Sequence, residues 1–392
     1  MKRRNSQSGV SDVIYYQSWL NQQTKHRQSV CGDTTLFLRS PFYTVFVVCD
    51  GIGSGIYANI AAITCANRLI ELAKTEMSFR TACQTVAASM HIARKKVAPF
   101  SAFSAVQLMN DGKFSLFTYE SPHAIMERDR ICQVLKPEFF SAGHEMVGEY
   151  YGRLRNGDRL LLLSDGASQA GMGKQYVMGI GSEGIANLWQ YLAEGDPGES
   201  SLLTTLSEKT KALTDEIYVD DTTFLLIKNR PAKMLNILTG PPEMRSEDRS
   251  FVATFMAKEG KKMICGSTTA DIVARELNRR VELVDSNLGF ASPPEYRMEG
   301  IDMVSEGALL LNQAVNLLDE PADQWGEQTS VERFCRLLLE ADVITFMVGN
   351  AINDAHASPL FKQVGVKPRR TAIGLIKEKL ESMGKLVIEE GY

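Results

Sequence analysis

Three segments near the start, "VIYYQSWL", "TLFLRS" and "YTVFVVC" (residues 13–20, 35–40 and 43–49), are rich in β-branched and aromatic residues and predict strands. A glycine loop follows, and then the spacing changes. Ile56, Ile60, Ile63 and Ile70 recur at helical intervals, as do Cys83, Val86, Met90, Ala93 and Val97. Each of these stripes predicts a helix with that face turned to the core. Strands are predicted again at "FSAFSAVQLM", "KFSLFTYE", "HAIMER", "ICQVL", "EMVGEYYGRL" and, with polar loops at both ends, within "GDRLLLLSDGASQA". Helices are predicted around "GIANLWQYLAEG" and "SSLLTTLSEKTKALTD", and "TTFLLIKN" closes the region as a strand. Runs of strands with helices in blocks point to a layered α+β domain rather than a regular βαβ sheet.

The pattern changes at "KNRPAKMLNILTGPP". From Met234 strands and helices alternate: "MLNILTG", "SEDRSFVATFMAKEG", "KKMICG", "STTADIVAREL" and "RRVELVD", then "SVERFCRLLLEA", "DVITFMVGNA", "TAIGLIKEKLESMG" and "KLVIEEG". That is the rhythm of an α/β domain. A boundary is expected near Arg230–Lys233, giving domains of residues 1–230 and 232–392.

Composition narrows the function classes. At 392 residues with 44 % hydrophobic and 23 % charged positions, the chain is an ordinary globular protein. A net charge of −4 offers no basic excess for nucleic acid or an anionic membrane. The basic start "MKRRNSQSGVSDV" lacks the apolar stretch of a secretory signal, and no run reaches the ~20 apolar residues of a membrane helix. A cytoplasmic protein is expected. Cys31, Cys49, Cys65, Cys83, Cys132, Cys265 and Cys335 are scattered without a CxxC pair, so free thiols are expected. Five histidines form no convincing triad, and Gly-x-Ser-x-Gly is absent.

The chemistry gathers at strand ends. In "VVCDGIGSG" a strand ends in Asp50 and a glycine loop opens toward a helix. It fits neither the Rossmann fingerprint nor the P-loop, which needs a lysine. Asp50 would repel a phosphate unless a cation lay between them. Asp-Gly is also a common turn dipeptide, but the pattern recurs. Asp165-Gly166 ends "LLLLSDG", Asp220 and Asp221 precede "TTFLLIK", and Asp33 precedes "TTLFL". Two like charges ~4 Å apart repel by roughly 1 kcal/mol in water and by more when buried. A convergent cluster therefore needs cations or shared protons. Oxygen-only ligands favour Mg²⁺ or Mn²⁺, and no His or Cys stands at zinc-ligand spacing.

"CGDTTLF", "VVCDGIGSG", "NGDRLLLLSDGASQA" and "VDDTTFLLIK", in that order over residues 13–228, resemble the metal-dependent protein phosphatases of the protein phosphatase 2C (PP2C) superfamily. The bacterial branch typified by the sporulation stage II E phosphatase is the most similar. The resemblance implies a four-layer αββα sandwich with a dinuclear Mn²⁺ or Mg²⁺ site between the sheet ends. It implies that Asp50 bridges two ions, that the Gly51 carbonyl ligates the first, and that Asp165 and Asp220 ligate the second. Asp33 would hold metal-bound water, and Asp221 would be a supporting or alternative ligand. The implied activity is hydrolysis of phosphoserine and phosphothreonine in proteins by metal-activated water. Phosphate-ester hydrolysis needs up to ~10²¹-fold acceleration, and two metals suit it. The implied partner is a phosphoprotein such as an anti-sigma-factor antagonist. Eukaryotic members carry a His after Asp-Gly, where this chain has Ile52, so the leaving-group proton donor is unassigned. Arg27 is either a phosphate ligand or a solvated surface residue. The alternative to an enzyme is a phosphatase-fold binding module, weakly active or inactive, controlled by its tail.

In the second domain "KKMICGSTTADIVAREL" runs from a strand into Gly266, Ser267, Thr268 and Thr269 and then a helix. Thr268 and Asp271 have capping-box spacing. The same turn could instead hold an anion at a helix start, with "KPRRT" (367–371) adding charge. "TGPPE" (239–243) and "VGNAIND" (348–354) are further polar loops after apolar strands, where α/β folds bind ligands. A regulatory role with a small anionic ligand is expected of this domain.

Overall fold

The structure is a computed structural model that describes residues 13–96, 98–195, 197–284, 292–326, 329–351 and 366–392. Val97 and residues 352–354 of the expectations above lie outside the described residues. The chain divides into two compact units, Ile14–Arg230 and Pro231–Tyr392, with Val13 belonging to the second. No helix among the described residues is long and apolar enough to cross a membrane.

The first unit runs β1 (Ile14–Gln23), β2 (Asp33–Arg39), β3 (Tyr43–Gly51), α1 (Ile56–Ala73), α2 (Phe79–Lys95), β4 (Ser101–Met109), β5 (Lys113–Tyr119), β6 (Ile125–Arg128), β7 (Ile131–Val134), β8 (Glu138–Ala142), β9 (Glu145–Arg153), β10 (Arg159–Leu163), α3 (Asp165–Ser168), α4 (Gly181–Ala193), α5 (Glu199–Ala212) and β11 (Thr222–Pro231). Two sheets form, ordered β1-β11-β10-β6-β7 and β2-β3-β4-β5-β9-β8. The alternation of side chains along a strand explains the layering. On β3, Val45, Val47 and Cys49 pack against α1 and α2, while Phe46 and Val48 enter the core between the sheets. On β10, Leu160 and Leu162 join that central core, while Leu161 and Leu163 meet Trp189 of α4 and Leu202 of α5. Four consecutive leucines are thus buried because both sheet faces are covered, which gives an αββα sandwich.

Register fixes what emerges at the sheet ends. The β2–β3 hairpin pairs Arg39 with Thr44 and Asp33 with Asp50. Its turn is closed by the Ser40 N–H donating to the Tyr43 carbonyl at 2.9 Å and the Tyr43 N–H donating to Ser40 Oγ at 3.1 Å.

The isoleucine stripe of α1 is corrected by the structure. Ile56, Ile60 and Ile63 are exposed, and only Ile70 is buried. The buried face is Ala58, Ala62, Cys65, Ala66 and Leu69. A Cβ on Gly51 would stand 1.9 Å from the Ala58 carbonyl oxygen, so the helix backbone lies directly on the end of β3. Only small side chains fit that approach, and the isoleucines turn outward. On α2 the stripe of Cys83, Val86 and Met90 is buried as expected.

The second unit runs β12 (Met234–Thr239), α6 (Asp248–Ala257), β13 (Lys261–Cys265), α7 (Ser267–Leu277), β14 (Glu282–Leu283), β15 (Glu295–Met298), β16 (Ile301–Ser305), α8 (Ala308–Leu317), α9 (Ser330–Glu340), β17 (Val343–Val348), α10 (Arg369–Ser382) and β18 (Leu386–Gly391). The sheet order is β14-β15-β16-β13-β12-β17-β18, and β16 through β18 pair in parallel. Phe334 of α9 and Ile373 and Ile376 of α10 cover one face, and Phe251, Phe255 and Val273 of α6 and α7 the other. "RRVELVD" contributes only the exposed pair Glu282–Leu283. Strands β8, β15 and β16 and helix α8 had no expectation. The two residues of β8 that begin it, Glu138 and Phe139, are exposed, as suits an edge strand with no clean alternation.

The cysteines are all free; Cys49, Cys65, Cys83, Cys265 and Cys335 are buried.

Candidate functional site

Phe46, Val48 and Asp50 lie on one side of β3 by alternation, so Asp50 ends the row that faces the other sheet. Its cross-strand partner on β2 is Asp33. In the opposite sheet Leu163 pairs with Phe224, which brings the end of β10 beside the start of β11. Asp165 follows the first and Asp220 and Asp221 precede the second. Four segments distant in sequence therefore deliver acids to one end of the sandwich.

The acids differ in surroundings. Asp33 is 3 % exposed. Its Oδ2 accepts from the Thr223 hydroxyl at 2.6 Å, and its buried Oδ1 has no hydrogen-bond partner. Burial, against hydrogen bonds from Thr223 and Ser164, pushes Asp33 up to about 7. Burial first, and then the charges of Asp33 and Asp165, push Asp50 up to about 10. Asp165 is also raised by burial, against hydrogen bonds from Asp50 and Gln169. Gln169 Nε2 donates to Asp165 Oδ2 at 2.8 Å. Asp50 and Asp165 titrate together, and burial with the neighbouring charges favours the protonated form of Asp50. Asp220 takes the Lys25 ammonium at 3.4 Å.

Asp221 stands apart in role. One oxygen accepts from the Lys25 N–H at 2.8 Å and the other from the Gly32 N–H at 2.9 Å. It ties the segment leading into β2 to the start of β11. Arg27 is exposed, with φ 66°.

Among the described residues no three acidic, His or Cys side chains stand as a ready coordination shell. The donor set nonetheless fits a hard cation. It is made of carboxylate oxygens, and one of them, Asp33 Oδ1, is buried without a partner. Gly51 and Gly166 let backbone crowd around the acids, since a Cβ on Gly166 would meet the Asp221 carbonyl at 2.2 Å. The supporting residues Lys25, Ser164, Gln169 and Thr223 went unnoticed in sequence. Their signal was adjacency to the aspartates, which becomes meaningful only through the β10–β11 pairing.

In the second unit, α7 begins after Gly266 with no side-chain cap, so the Thr268–Asp271 capping box does not form. Ser267, Thr268 and Thr269 line a cavity with Pro241, Glu306 and Arg369.

A model of the Stage II sporulation protein E (SpoIIE) family matches residues 40–230. That segment is a SpoIIE-like domain, and Asp33 precedes the matched stretch. No curated protein matches the chain. Among solved structures, the chain is similar to the PP2C phosphatase domain with a fragment of the regulatory domain of the cell fate determinant SpoIIE from Bacillus subtilis. Identity is 14 % and the TM-score 0.47, over 56 % of this chain and 64 % of that one. It is also similar to the RsbU and RsbW domains of a Mycobacterium tuberculosis protein, at 17 % identity and a TM-score of 0.47, covering 63 % of this chain and 69 % of that one. A third similarity is to RsbX in complex with magnesium, at 17 % identity and a TM-score of 0.40, covering 57 % and 98 %.

Proposed function

We propose that the SpoIIE-like domain, taken as residues 1–230, is a metal-dependent phosphatase that hydrolyses phosphoserine and phosphothreonine in proteins. Asp33, Asp50, the Gly51 carbonyl, Asp165 and Asp220 would hold two Mn²⁺ or Mg²⁺ ions. The observation that carries this reading is Asp33: a carboxylate 3 % exposed, with one oxygen unpartnered, paired across the strands with Asp50. Burying an ionised carboxylate is costly unless it is paired with a cation or hydrogen-bonded. Two divalent ions bound there supply the charge that neutralises phosphoryl oxygens and makes water nucleophilic near neutral pH.

The chain's own side chains have separate tasks in this reading. Thr223 orients Asp33, Gln169 orients Asp165, and Lys25 steadies Asp220. Asp221 serves as a clamp on backbone, each oxygen accepting from one N–H group, and is a supporting or alternative ligand. Ile52 offers no proton at the position after Asp-Gly, so the leaving serine takes its proton from solvent. The SpoIIE match supports a substrate in bacterial partner switching, such as an anti-sigma-factor antagonist. Phosphoprotein is expected to exceed free nucleotides in kcat/KM.

A second reading is a phosphatase-fold binding module of little turnover, governed by residues 232–392. The raised pKa of Asp50 favours it, since a proton on the cluster can replace a cation. Turnover of a phosphopeptide panel and of p-nitrophenyl phosphate, with Mn²⁺ added after EDTA, separates the two. Activity restored by Mn²⁺ and lost by several orders of magnitude in Asp50→Asn supports the enzyme. Full activity in excess EDTA refutes metal dependence, and Mn²⁺ binding without turnover selects the module.

A further inference from the structure

The parallel sheet of the second unit changes winding direction at β12, with β13 on one side and β17 on the other. At the carboxyl ends of these strands lies a cavity of about 300 Å³, and such switch points are where open α/β sheets bind ligands. The α7 N-terminus opens into it after Gly266, a residue with φ +128° and no capping side chain. Thr269, in the first turn, is 1 % exposed yet lines the cavity, and its hydroxyl has no hydrogen-bond partner among the described residues. Its Oγ1 lies 3.4 Å from where a Cβ on Gly266 would stand, which places it at the mouth of the helix.

A cation faces this end. Arg369 opens α10 and lines the same cavity. Its guanidinium crosses the end of β12, where a Cβ on Gly240 would meet Nη1 at 1.9 Å. Glycine, with φ +77°, is what the crossing requires. Arg369 forms no hydrogen bond or ion pair among the described residues. Burial holds it below its usual pKa, so it is partly desolvated without a counter-ion. The acid in the wall is already engaged: Glu306 accepts from the N–H groups of Ala308 at 3.1 Å and Leu309 at 3.0 Å, capping α8.

We propose that this cavity binds the phosphate group of a small molecule, held by the α7 N–H groups and the Thr269 hydroxyl and neutralised by Arg369. A helix N-terminus supplies oriented N–H donors and a favourable dipole, and a guanidinium matches phosphate geometry. The volume, at the small end of ligand pockets of ~300–1,000 Å³, suits a phosphate with a compact substituent.

The test uses the full chain stripped of metal with EDTA, titrated calorimetrically with inorganic phosphate, ribose 5-phosphate and AMP. Asp50→Asn serves as the control that separates this site from the aspartate cluster. One site per chain is expected, unchanged in Asp50→Asn. The isosteric Thr269→Val should weaken binding about 10-fold, and Arg369→Gln about 10- to 100-fold, as lost hydrogen bonds to a charged group do. Thr269→Ser, which keeps the hydroxyl, should bind nearly as wild type. The tightest of the three probes assigns the source as free phosphate, sugar phosphate or nucleotide. Melting curves identify any variant that does not fold, and the Thr269 pair then carries the test alone. Absence of binding to all three probes at millimolar concentration overturns the proposal. So does binding indifferent to Thr269→Val, or binding abolished by Asp50→Asn.

Discussion

Metal-free Asp50→Asn should be more stable than the wild-type protein at neutral and alkaline pH, although it removes a residue assigned to the heart of the site. Asp50 is raised to about 10 in the folded chain and titrates near 3.9 when unfolded. Its folded pKa is the higher one, so its stabilising contribution is complete below pH ~4 and is lost as pH rises toward 10. Between those limits the unfolded state has released a proton that the folded state retains, and stability falls by about 1.4 kcal/mol per pH unit. Asp50 and Asp165 titrate together, so one proton is counted for the pair. Asp33, raised to about 7, adds its own slope only up to that pH. From pH 7 to 9 the wild type should lose roughly 3 kcal/mol more than Asp50→Asn, while the raised, partly buried thiols such as Cys31 and Cys132 contribute equally to both proteins. In Asp50→Asn a neutral amide stands where the protonated carboxyl was, so this contribution is absent and the curve should fall less steeply over the same interval. For a unit of this size that corresponds to a relative shift of roughly 5–10 °C in Tm. Urea unfolding of both proteins in EDTA at pH 5, 7 and 9 measures it. Parallel stability curves for the two proteins above pH 7 would refute the reasoning.

Asp221→Asn keeps one acceptor oxygen where two N–H groups now bind, and should cost about 1–3 kcal/mol of stability, with Mn²⁺ affinity reduced through loosening of the Lys25–Asp33 segment; titration calorimetry and denaturant melts check both. Gly51→Ala drives a methyl into the α1 backbone and is expected to destabilise by at least 1–3 kcal/mol and to abolish turnover, while the same substitution at Gly198, where a Cβ meets nothing within 4 Å and φ is −58°, should leave turnover intact. A chain ending after Arg230 should fold cooperatively and keep Mn²⁺-dependent turnover, because the three core clusters of the first unit draw only on residues within it; aggregation of the shortened chain would count against independent domains.

Strand pattern made the outline of the first unit readable, because β3, β4, β5 and β10 are apolar on both faces and bounded by polar turns. The acids were visible because each stands beside such a strand. Their division of labour was not. Asp220 and Asp221 are neighbours in sequence, yet one meets an ammonium and the other two backbone amides, a difference created by contacts with residues almost 200 positions earlier. Helix α1 misled for a related reason. Periodicity detects a stripe but not which of two stripes a sheet will take, and the proximity of Gly51 to Ala58 decided for the smaller one. In the second unit the turn at Gly266–Thr269 stood out as a helix start, but Arg369 lies a hundred residues further on, and only the parallel sheet brings its guanidinium to the same cavity.

The β2–β3 hairpin has a consequence for how this protein can vary. Its turn at Ser40–Tyr43 lies about 20 Å from Asp33, six residue steps along an extended strand. Loops at that remove from a site are ordinarily free to gain or lose residues. Here the turn acts as the zero mark of a ruler. Inserting or deleting one residue in either strand slips the ladder by one step, and a one-step slip turns every side chain beyond it to the opposite face. Asp50 would then point toward α1 instead of the opposite sheet, and Cys49 would take its place among the acids. Length, more than composition, is thus the quantity to which the chain is held between Asp33 and Asp50: substitutions on the exposed side of this hairpin are cheap, whereas a single-codon insertion far from any acid would disassemble the cluster.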